Sequence, residues 1–468
     1  MKELSRPERF LRIFTEIRPG EGRTALLLFL NVFLILCAYY FVKPLRDGWI
    51  AVSAIEGLSK MEVKAYSSFG QSILFLGAIG VYARMSSMLP RAVLISRTTM
   101  FCMSNLVLFW FLQPNFFLAN LPGMGIMFYL WVGMFGLFVV AQFWAFAADL
   151  YTDERGRRLL PMIAIGATSG ATVGSFIVEQ VVYSELLDSG TLLLLANIPL
   201  ALSIWLTRQA DILGPLGEGY PEAGAGGASP EPGPAERSEN SDGAFALIRA
   251  HHYLMLVAAV TLINAWVNTN GENLLFRVVQ EALATSVEAT GVTDPALILH
   301  EVREGTTAFY GDFFFWVNVT ALLLQALVAS RLLALGGFGA ILLLLPSIAL
   351  VGYTAMAFLP ILGVVRVMKI AENATDYSIN NTASQVLWLP TTAEMKFKAK
   401  PAIATFCVRL GDGLAALTVL VGVQLMNLST RSFFLLNAAL VLLWLGVAVA
   451  VVGEHGRIVE SGARKNAA

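Results

Sequence analysis

Long apolar runs recur along almost the whole chain and are separated by short polar stretches. A helix that crosses a membrane needs roughly 20 mostly apolar residues. The pattern therefore predicts an all-α polytopic membrane protein with an even number of crossings. The twelve expected transmembrane helices lie near residues 24–42, 64–84, 92–112, 123–147, 159–181, 190–207, 252–276, 306–330, 338–359, 361–389, 401–426 and 432–452.

Basic residues concentrate in alternate loops. They lie at the N-terminus, in the second, fourth, eighth and tenth loops and at the C-terminus, whereas the third and fifth loops contain no lysine or arginine. Cytoplasmic loops carry the excess of basic residues in membrane proteins. Both termini are therefore expected in the cytoplasm.

Polar segments divide the chain further. Residues 1–23 mix arginines with large apolar residues and predict a cytoplasmic amphipathic helix on the membrane surface. Residues 209–242 are rich in Gly, Pro, Ala and acidic residues, which predicts a disordered cytoplasmic linker. The linker separates an N-terminal six-helix bundle, 24–208, from a C-terminal one, 243–453. Residues 454–468 are expected to form a cytoplasmic tail.

A shared motif indicates that the two halves arose by duplication. Thr-x-Glu, a basic residue and Pro-x-Ile-Ala begin at Thr152 after the fourth helix and again at Thr392 after the tenth. Two pseudo-symmetric six-helix bundles form the plan of major-facilitator transporters, whose substrate site lies near the membrane midplane between the halves. The sequence thus predicts a major-facilitator-like fold.

Composition narrows the possible functions. Hydrophobic residues make up 56% of the chain and charged residues only 14%, with a mean hydropathy of +0.67, whereas a soluble domain has about 25% charged residues. The net charge of -1 offers no basic surface for nucleic acid. Three scattered cysteines give neither a disulfide framework nor metal-ligand spacing. With no nucleophile–base pair visible, neither an enzyme nor a cofactor or metal is expected.

Polar side chains recur every three or four residues along the tenth predicted helix. Their spacing places on one helical face Arg366, Lys369, Asn373, Asp376 and Asn380. Ionisable groups within a membrane cost about 2.5–3.5 kcal/mol each on insertion scales, so this face must point into the protein. One interpretation is a cavity wall in which Arg366 and Lys369 bind an anion, with Glu372 and Asp376 pairing or switching. The alternative is a structural ion pair of Lys369 with Glu372.

Charged residues also end the first helix and interrupt the seventh, which are symmetry mates in this architecture. Lys43 and Asp47 are spaced to pair on the first helix, with Arg46 beside them. Glu272 and Arg277 occupy the seventh. The positions predict substrate contacts for Lys43, Arg46, Glu272 and Arg277. Snorkelling of Lys43 to the membrane surface is the alternative.

Two further charged groups predict gates. Arg409 and Asp412 lie three residues apart in the eleventh helix, where they form either a salt bridge that pins a gate or a substrate contact through Arg409. Asp149 opens the basic fourth loop and is expected to join a cytoplasmic charge cluster with Arg155.

Small residues form a stripe on the fifth helix. Gly166, Gly170 and Gly174 follow one another at four-residue spacing. Such a stripe is typical of close helix contact in membranes. It lacks the Gly-Lys-Ser/Thr ending of a phosphate-binding loop. We therefore predict a packing role for these glycines.

Four motifs can be compared with known families: Tyr39 to Asp47 (YYFVKPLRD), Asp376 to Thr382 (DYSINNT), Glu394 to Ile403 (EMKFKAKPAI) and Arg409-x-Gly411-Asp412. Together with the overall plan, they resemble the bacterial and plastid-type ATP/ADP translocase (nucleotide transporter) family over nearly the whole chain. The block from the tenth to the eleventh helix is the most specific part.

The resemblance implies a major-facilitator-like fold that exchanges nucleotides such as ATP and ADP, or related phosphorylated anions, across a bacterial inner membrane by alternating access. It also implies transport roles for Lys43, Arg46 and Lys369, with Glu272 and Asp376 as their acidic partners. This chain departs from the family at two positions. Ser384 stands where the family often has a basic residue, and Ala404 stands where it often has Asp.

Two other functions stay open at this stage. In a proton-coupled symporter of another polar metabolite, Glu272, Glu372 or Asp376 would carry the proton, and uptake would follow a pH gradient. A non-transporting membrane receptor would pair all the charges of the tenth helix and leave no cavity between the halves. The expected partners are a small anionic substrate and the lipid bilayer, and the protein is expected to be a monomer.

Overall fold

The described part of the chain is almost entirely helical. The computed structural model describes residues 21–86, 91–113, 123–151, 153–184, 187–213 and 243–467, and these residues include no strand. The prediction of an all-α fold is therefore confirmed. Most of the expected amphipathic N-terminus and of the expected linker lies outside the described residues.

Long helices follow one another along the chain. The first half contains α1 (Gly22–Ala51), α2 (Lys60–Ser86), α3 (Arg91–Leu112), α4 (Met124–Asp149), α5 (Asp153–Tyr183) and α6 (Thr191–Leu213). After a short helix, Ala244–Ala250, the second half contains α7 (His252–Thr290), α8 (Pro295–Leu324), α9 (Ser330–Phe358), α10 (362–387), α11 (Met395–Leu425) and α12 (Thr430–Ala467). A π-helical turn, Asp376–Asn380, lies within α10.

Length and composition allow nine helical segments of the described chain to cross a membrane. α2 and α10 are not among these nine, whereas Pro295–Phe358 is counted once although its 64 residues could cross twice. This segment breaks at Gly337, whose φ of 65° and ψ of -165° suit only glycine. The break falls between the eighth and ninth expected crossings. The number of twelve crossings stays a prediction.

Two helices extend beyond the ends that hydrophobicity predicts. α7 continues to Thr290, past the expected end near residue 276, and Gly291 ends it with a left-handed φ of 71°. Glycine is the residue that adopts this cap most easily. α12 likewise continues through the expected tail as far as Ala467. Apolar length alone therefore does not locate these helix ends.

The glycine stripe of α5 packs against the backbone of α1. A Cβ atom added at Gly166 would lie 2.7 Å from the backbone oxygen of Phe29 on α1, and one added at Gly174 would lie 2.6 Å from that of Cys37. One added at Gly170 would overlap the backbone oxygen of Phe33. A methyl group cannot fit at these distances, so the predicted packing role is confirmed.

Contacts between residues divide the chain into two compact units. Among the described residues, the first unit contains residues up to Ser53, those from Leu74 to 213, and Thr293–Val319. The second contains Ala54–Ile73, residues 243 to Val292, and the chain from Thr320 onward. α2 and α8 therefore each contribute to both units.

Aromatic rings hold the end of α1 in the core of the first unit. Trp49 is 1% exposed, and its ring centroid lies 4.3 Å from that of Phe128 on α4. Trp131 stacks on Phe135 one turn further along α4, with a centroid distance of 5.6 Å. This packing fixes the segment of α1 that carries the charged residues Lys43 to Asp47.

Candidate functional site

A buried lysine lies where α7, α9 and α10 meet within the second unit. Lys369 of α10 is 1% exposed. Its Nζ lies 3.1 Å from Glu372 on the same helix and 3.5 Å from Glu272 on α7. Tyr353 of α9 donates a hydrogen bond of 3.0 Å to the other oxygen of Glu372. We call Lys369, Glu272, Glu372 and Tyr353 the lysine cluster.

The two carboxylates of the lysine cluster are held differently. Glu372 has a side chain only 6% exposed, with Tyr353 as a second partner. The side chain of Glu272 is 27% exposed, and it accepts a hydrogen bond of 2.9 Å from Asn373. With all groups ionised, one ammonium serves two carboxylates. Glu272 is thus the more exposed of the two carboxylates.

Because Gly271 has no side chain, there is room beside it for the lysine cluster. A Cβ atom added to this residue would lie 2.7 Å from Lys369 Nζ and would overlap the hydroxyl group of Tyr353. A side chain at this position of α7 would push Lys369 and Tyr353 away from their carboxylate partners. The sequence thus selects the smallest residue directly before Glu272.

Replacement of Gly271 with alanine is expected to disturb the cluster without changing any charge. Overpacking in a filled interior costs about 1–3 kcal/mol, so the thermal unfolding temperature of the purified variant should fall. Gly363→Ala on α10 is the matched control, because an added Cβ at Gly363 meets nothing within 4 Å. Equal unfolding temperatures for the two variants would contradict this account.

The remaining predicted residues of α10 lie beside the cluster. Asn373 is buried, whereas Arg366 and Asp376 are half-buried. Asp376 accepts a hydrogen bond of 2.7 Å from Asn380, which closes the π-helical turn. The structure therefore brings Lys369, Glu272, Glu372 and Asn373 together, and it places Asp376 in a separate contact.

A second charged group ends α1 in the first unit. Arg46 pairs with the fully buried Asp47 at 3.2 Å, and its guanidinium carbon lies 4.5 Å from the centroid of the Tyr129 ring. Lys43 Nζ lies 3.8 Å from the centroid of Phe314. Cations over aromatic faces are attracted by the ring quadrupole. Lys43, Arg46 and Asp47 together carry a net positive charge.

The predicted salt bridge in α11 forms within a larger network of the second unit. Arg409 pairs with Asp412 at 3.0 Å. Asp412 also accepts hydrogen bonds from Ser72 of α2, at 2.6 Å, and from Thr269 of α7, at 2.7 Å. The network joins three helices. Its geometry corresponds to the interpretation of a salt bridge that pins the helices.

The structure places Arg277 away from the lysine cluster. Its Nε lies 2.8 Å from Glu281, one turn further along α7, and its Nη1 donates to the backbone oxygen of Leu428 at 3.4 Å. Leu428 lies in the connection between α11 and α12. The sequence placed Arg277 with Glu272 because both lie on the seventh helix, but helical spacing alone does not show which neighbours surround each turn.

Arginines of α5 share an acid that the sequence did not reveal. Arg155 and Arg158 pair with Glu21 at 3.3 and 3.0 Å, and Glu21 is 7% exposed. Asp149, the expected acid, ends α4 and is exposed, and its place in the charge cluster stays a prediction. Glu21 precedes α1 in a segment that was expected to lie on the membrane surface, so its burial had no signal in the sequence.

Lys64 is a second buried lysine that hydrophobic periodicity missed. It is 3% exposed, and its Nζ lies 4.4 Å from the centroid of the Phe276 ring on α7. A lysine at the edge of a predicted crossing normally reaches toward the interface. The burial of Lys64 and its contact with α7 show that this one points into the protein.

One group in the described part of the chain has donor atoms close enough to share a metal ion: Asp188, His300 and Glu304. Arg303 lies among them, 3.3 Å from Asp188 and 3.0 Å from Glu304. The guanidinium already pairs with both carboxylates. The group is therefore explained as an ion-pair network, and we assign no metal to it.

Comparison by sequence identifies no relatives: no protein-family model and no curated protein matches the chain. Solved structures of transporters match nearly all of it. The human organic anion transporter TETRAN aligns with a TM-score of 0.56 at 13% identity, covering 92% of this chain and 100% of that one.

Other transporters align equally well. The nucleoside transporter NupG has a TM-score of 0.57 at 12% identity, covering 92% of this chain and 99% of that one. The peptide transporter POT in complex with sulfate has a TM-score of 0.57 at 12% identity, covering 96% and 98%. Identities this low establish the fold alone. The chain has the fold of the major-facilitator transporters.

Proposed function

We propose that this protein is a secondary transporter that moves a small anionic solute, a nucleotide or a related phosphorylated anion, across a membrane by alternating access. The observation that carries the proposal is the lysine cluster. The buried ammonium group of Lys369 on α10 pairs with one buried and one partly exposed carboxylate. Intramembrane ionisable groups are costly and mark solute pathways.

The geometry of the cluster supports anion binding by replacement of one carboxylate. Glu272 lies further from Lys369 Nζ than Glu372 does, at 3.5 against 3.1 Å. An anionic oxygen that takes the place of Glu272 would keep Lys369 paired throughout. This matters because an uncompensated buried charge is strongly destabilising. Glu372 stays in place through its bond from Tyr353.

A phosphorylated solute needs more than one cation. Desolvating several negative charges is costly unless each finds a charged donor. Lys43 and Arg46 place two cations at the end of α1 beside the buried Asp47, and the resemblance to nucleotide transporters gives the same two residues a role in transport. We assign them to the recognition of the solute.

Proton-coupled symport is the second candidate function, and one observation favours it. Two carboxylates, Glu272 and Glu372, share the single ammonium group of Lys369. A proton on either carboxylate would balance the charges of the cluster. A carrier of this kind would take up a polar solute together with a proton and would need no internal counter-solute.

Counterflow in proteoliposomes separates these functions. We expect external radiolabelled ATP to enter vesicles that contain ADP or ATP and not to enter empty ones, because an exchanger returns only when loaded. Uptake of ATP that follows an imposed pH gradient, with no effect of internal nucleotide, would support symport instead.

The control is Arg457→Gln, which removes a cation that is 82% exposed near the C-terminus and should transport as the natural chain does. Absence of both counterflow and gradient-driven uptake, across nucleotides and phosphorylated metabolites, would leave the receptor function. The ion pairs of Lys369 are compatible with that function too, so transport itself must be measured.

A further inference from the structure

A cavity of about 370 Å³ lies in the second unit at the far end of α7. It is formed by the start of α2, the last turns of α7 and the connection between α11 and α12. This volume is within the range of sites that hold small organic ligands. None of the functions considered above uses this cavity.

Two cations and one carboxylate line the cavity, which gives it a net positive charge. The cations are Lys60 and Arg277, and the carboxylate is Glu281. Lys60 Nζ donates one hydrogen bond, of 3.2 Å, to Gln280, but an ammonium group has three donors. Lys60 is also exposed, as a group that meets a solute from water must be.

Apolar side chains form the rest of the wall. Met61, Val423 and Leu428 lie beside the charged residues. A site with an apolar wall and a few convergent polar groups suits an organic anion better than a bare inorganic ion, because both parts of the solute find matching surfaces. The lining therefore favours a solute that joins an anionic group to an apolar body.

A line of lysines follows α7 from this cavity toward the lysine cluster. Successive turns of α7 present Gln280, Phe276 and Glu272. Each of them contacts a lysine: Gln280 contacts Lys60, Phe276 contacts Lys64, and Glu272 contacts Lys369. Eight residues of helix span about 12 Å. The cavity is thus the end of a series of cations, and the deepest of them is Lys369.

We infer that the cavity is a second anion-binding site, a loading site, at which a phosphorylated organic anion binds Lys60 and Arg277 before it reaches Lys369. The inference rests on the proposed function only for the later step, in which the anion moves from the cavity to Lys369. Binding at the cavity itself requires no transport. The two can therefore fail separately.

Labelling of an engineered cysteine tests the loading site. Ala284 lines the cavity and is exposed, whereas the three natural cysteines are buried. In the full-length Ala284→Cys protein, ATP should slow the reaction with a charged maleimide about fivefold or more, and pyrophosphate, which has no organic body, should slow it less. Chloride at equal ionic strength should not slow it, because it lacks the multiple charges that engage both cations.

Three further variants locate the protection. Adding Lys60→Gln should abolish it, and adding Arg277→Gln should weaken it, while Lys369→Gln should leave it unchanged. Protection that equals that of chloride, or that persists in Lys60→Gln, would overturn the loading site. If the Ala284→Cys protein shows protection while the natural chain shows no counterflow, only the proposed transport function fails. Thermal unfolding of each variant confirms that it is folded.

Discussion

Replacement of Lys369 with glutamine should abolish solute exchange in proteoliposomes. Charge-assisted hydrogen bonds contribute about 1.5–3 kcal/mol, so the initial rate should fall roughly 100-fold if this ammonium group binds the anion. The substitution removes the partner that Glu272 and Glu372 share. Counterflow of labelled nucleotide, measured per folded protein, is the readout.

The same substitution should also destabilise the protein, and this effect must be separated from the loss of transport. A buried carboxylate without its partner costs about 3–5 kcal/mol, and Glu372 has a side chain only 6% exposed. The double variant Lys369→Gln with Glu372→Gln removes both charges. It should regain much of the thermal stability and still fail to transport. Natural exchange rates in the double variant would exclude Lys369 from solute binding.

Replacement of Gly170 with valine should prevent the first unit from folding. The added Cβ overlaps the backbone carbonyl of Phe33 on α1, and backbone cannot swing aside as a side chain can. We expect a cost above the usual 1–3 kcal/mol or so for overpacking. Detergent extracts should contain little monodisperse protein, as measured by size-exclusion chromatography.

Gly77→Val is the matched control for this prediction. Gly77 also lies within a long helix, but a Cβ atom added there meets nothing within 4 Å. Both variants carry the same change in helix propensity, a small gain, because valine is a better helix former than glycine. Comparable yields and unfolding temperatures for the two would show that the contact between α1 and α5 does not depend on the glycine.

Periodicity in the sequence predicted those features that a single helix determines. The spacing of Gly166, Gly170 and Gly174 identified a packing face, and the close approach to α1 confirms it. The polar spacing of α10 singled out Lys369 and Asn373, which are both buried. In both helices, residues that are unfavourable toward lipid recur at helical spacing on one face. This spacing is visible in the sequence without knowledge of the helices that pack against that face.

Features that depend on a partner helix could not be predicted in this way. Lys64 has the sequence context of an interfacial lysine, and its burial depends on Phe276 of another helix. Glu21 pairs with Arg158 across 137 positions of the chain. Arg277 shares a helix with Glu272 but faces the connection after α11. Charge pairing between helices has no period, so a single sequence carries no signal for it.

The π-helical turn Asp376–Asn380 gives α10 one spare residue. Such turns hold one residue more than an α-helical turn. A residue lost from this turn would restore α-helical geometry and leave Lys369 facing Glu272. A residue lost elsewhere between Lys369 and the end of α10 would rotate one part of the helix against the other by about 100°. Changes in chain length are thus absorbed at one turn of α10, and it is this turn that bears Asp376 and Asn380.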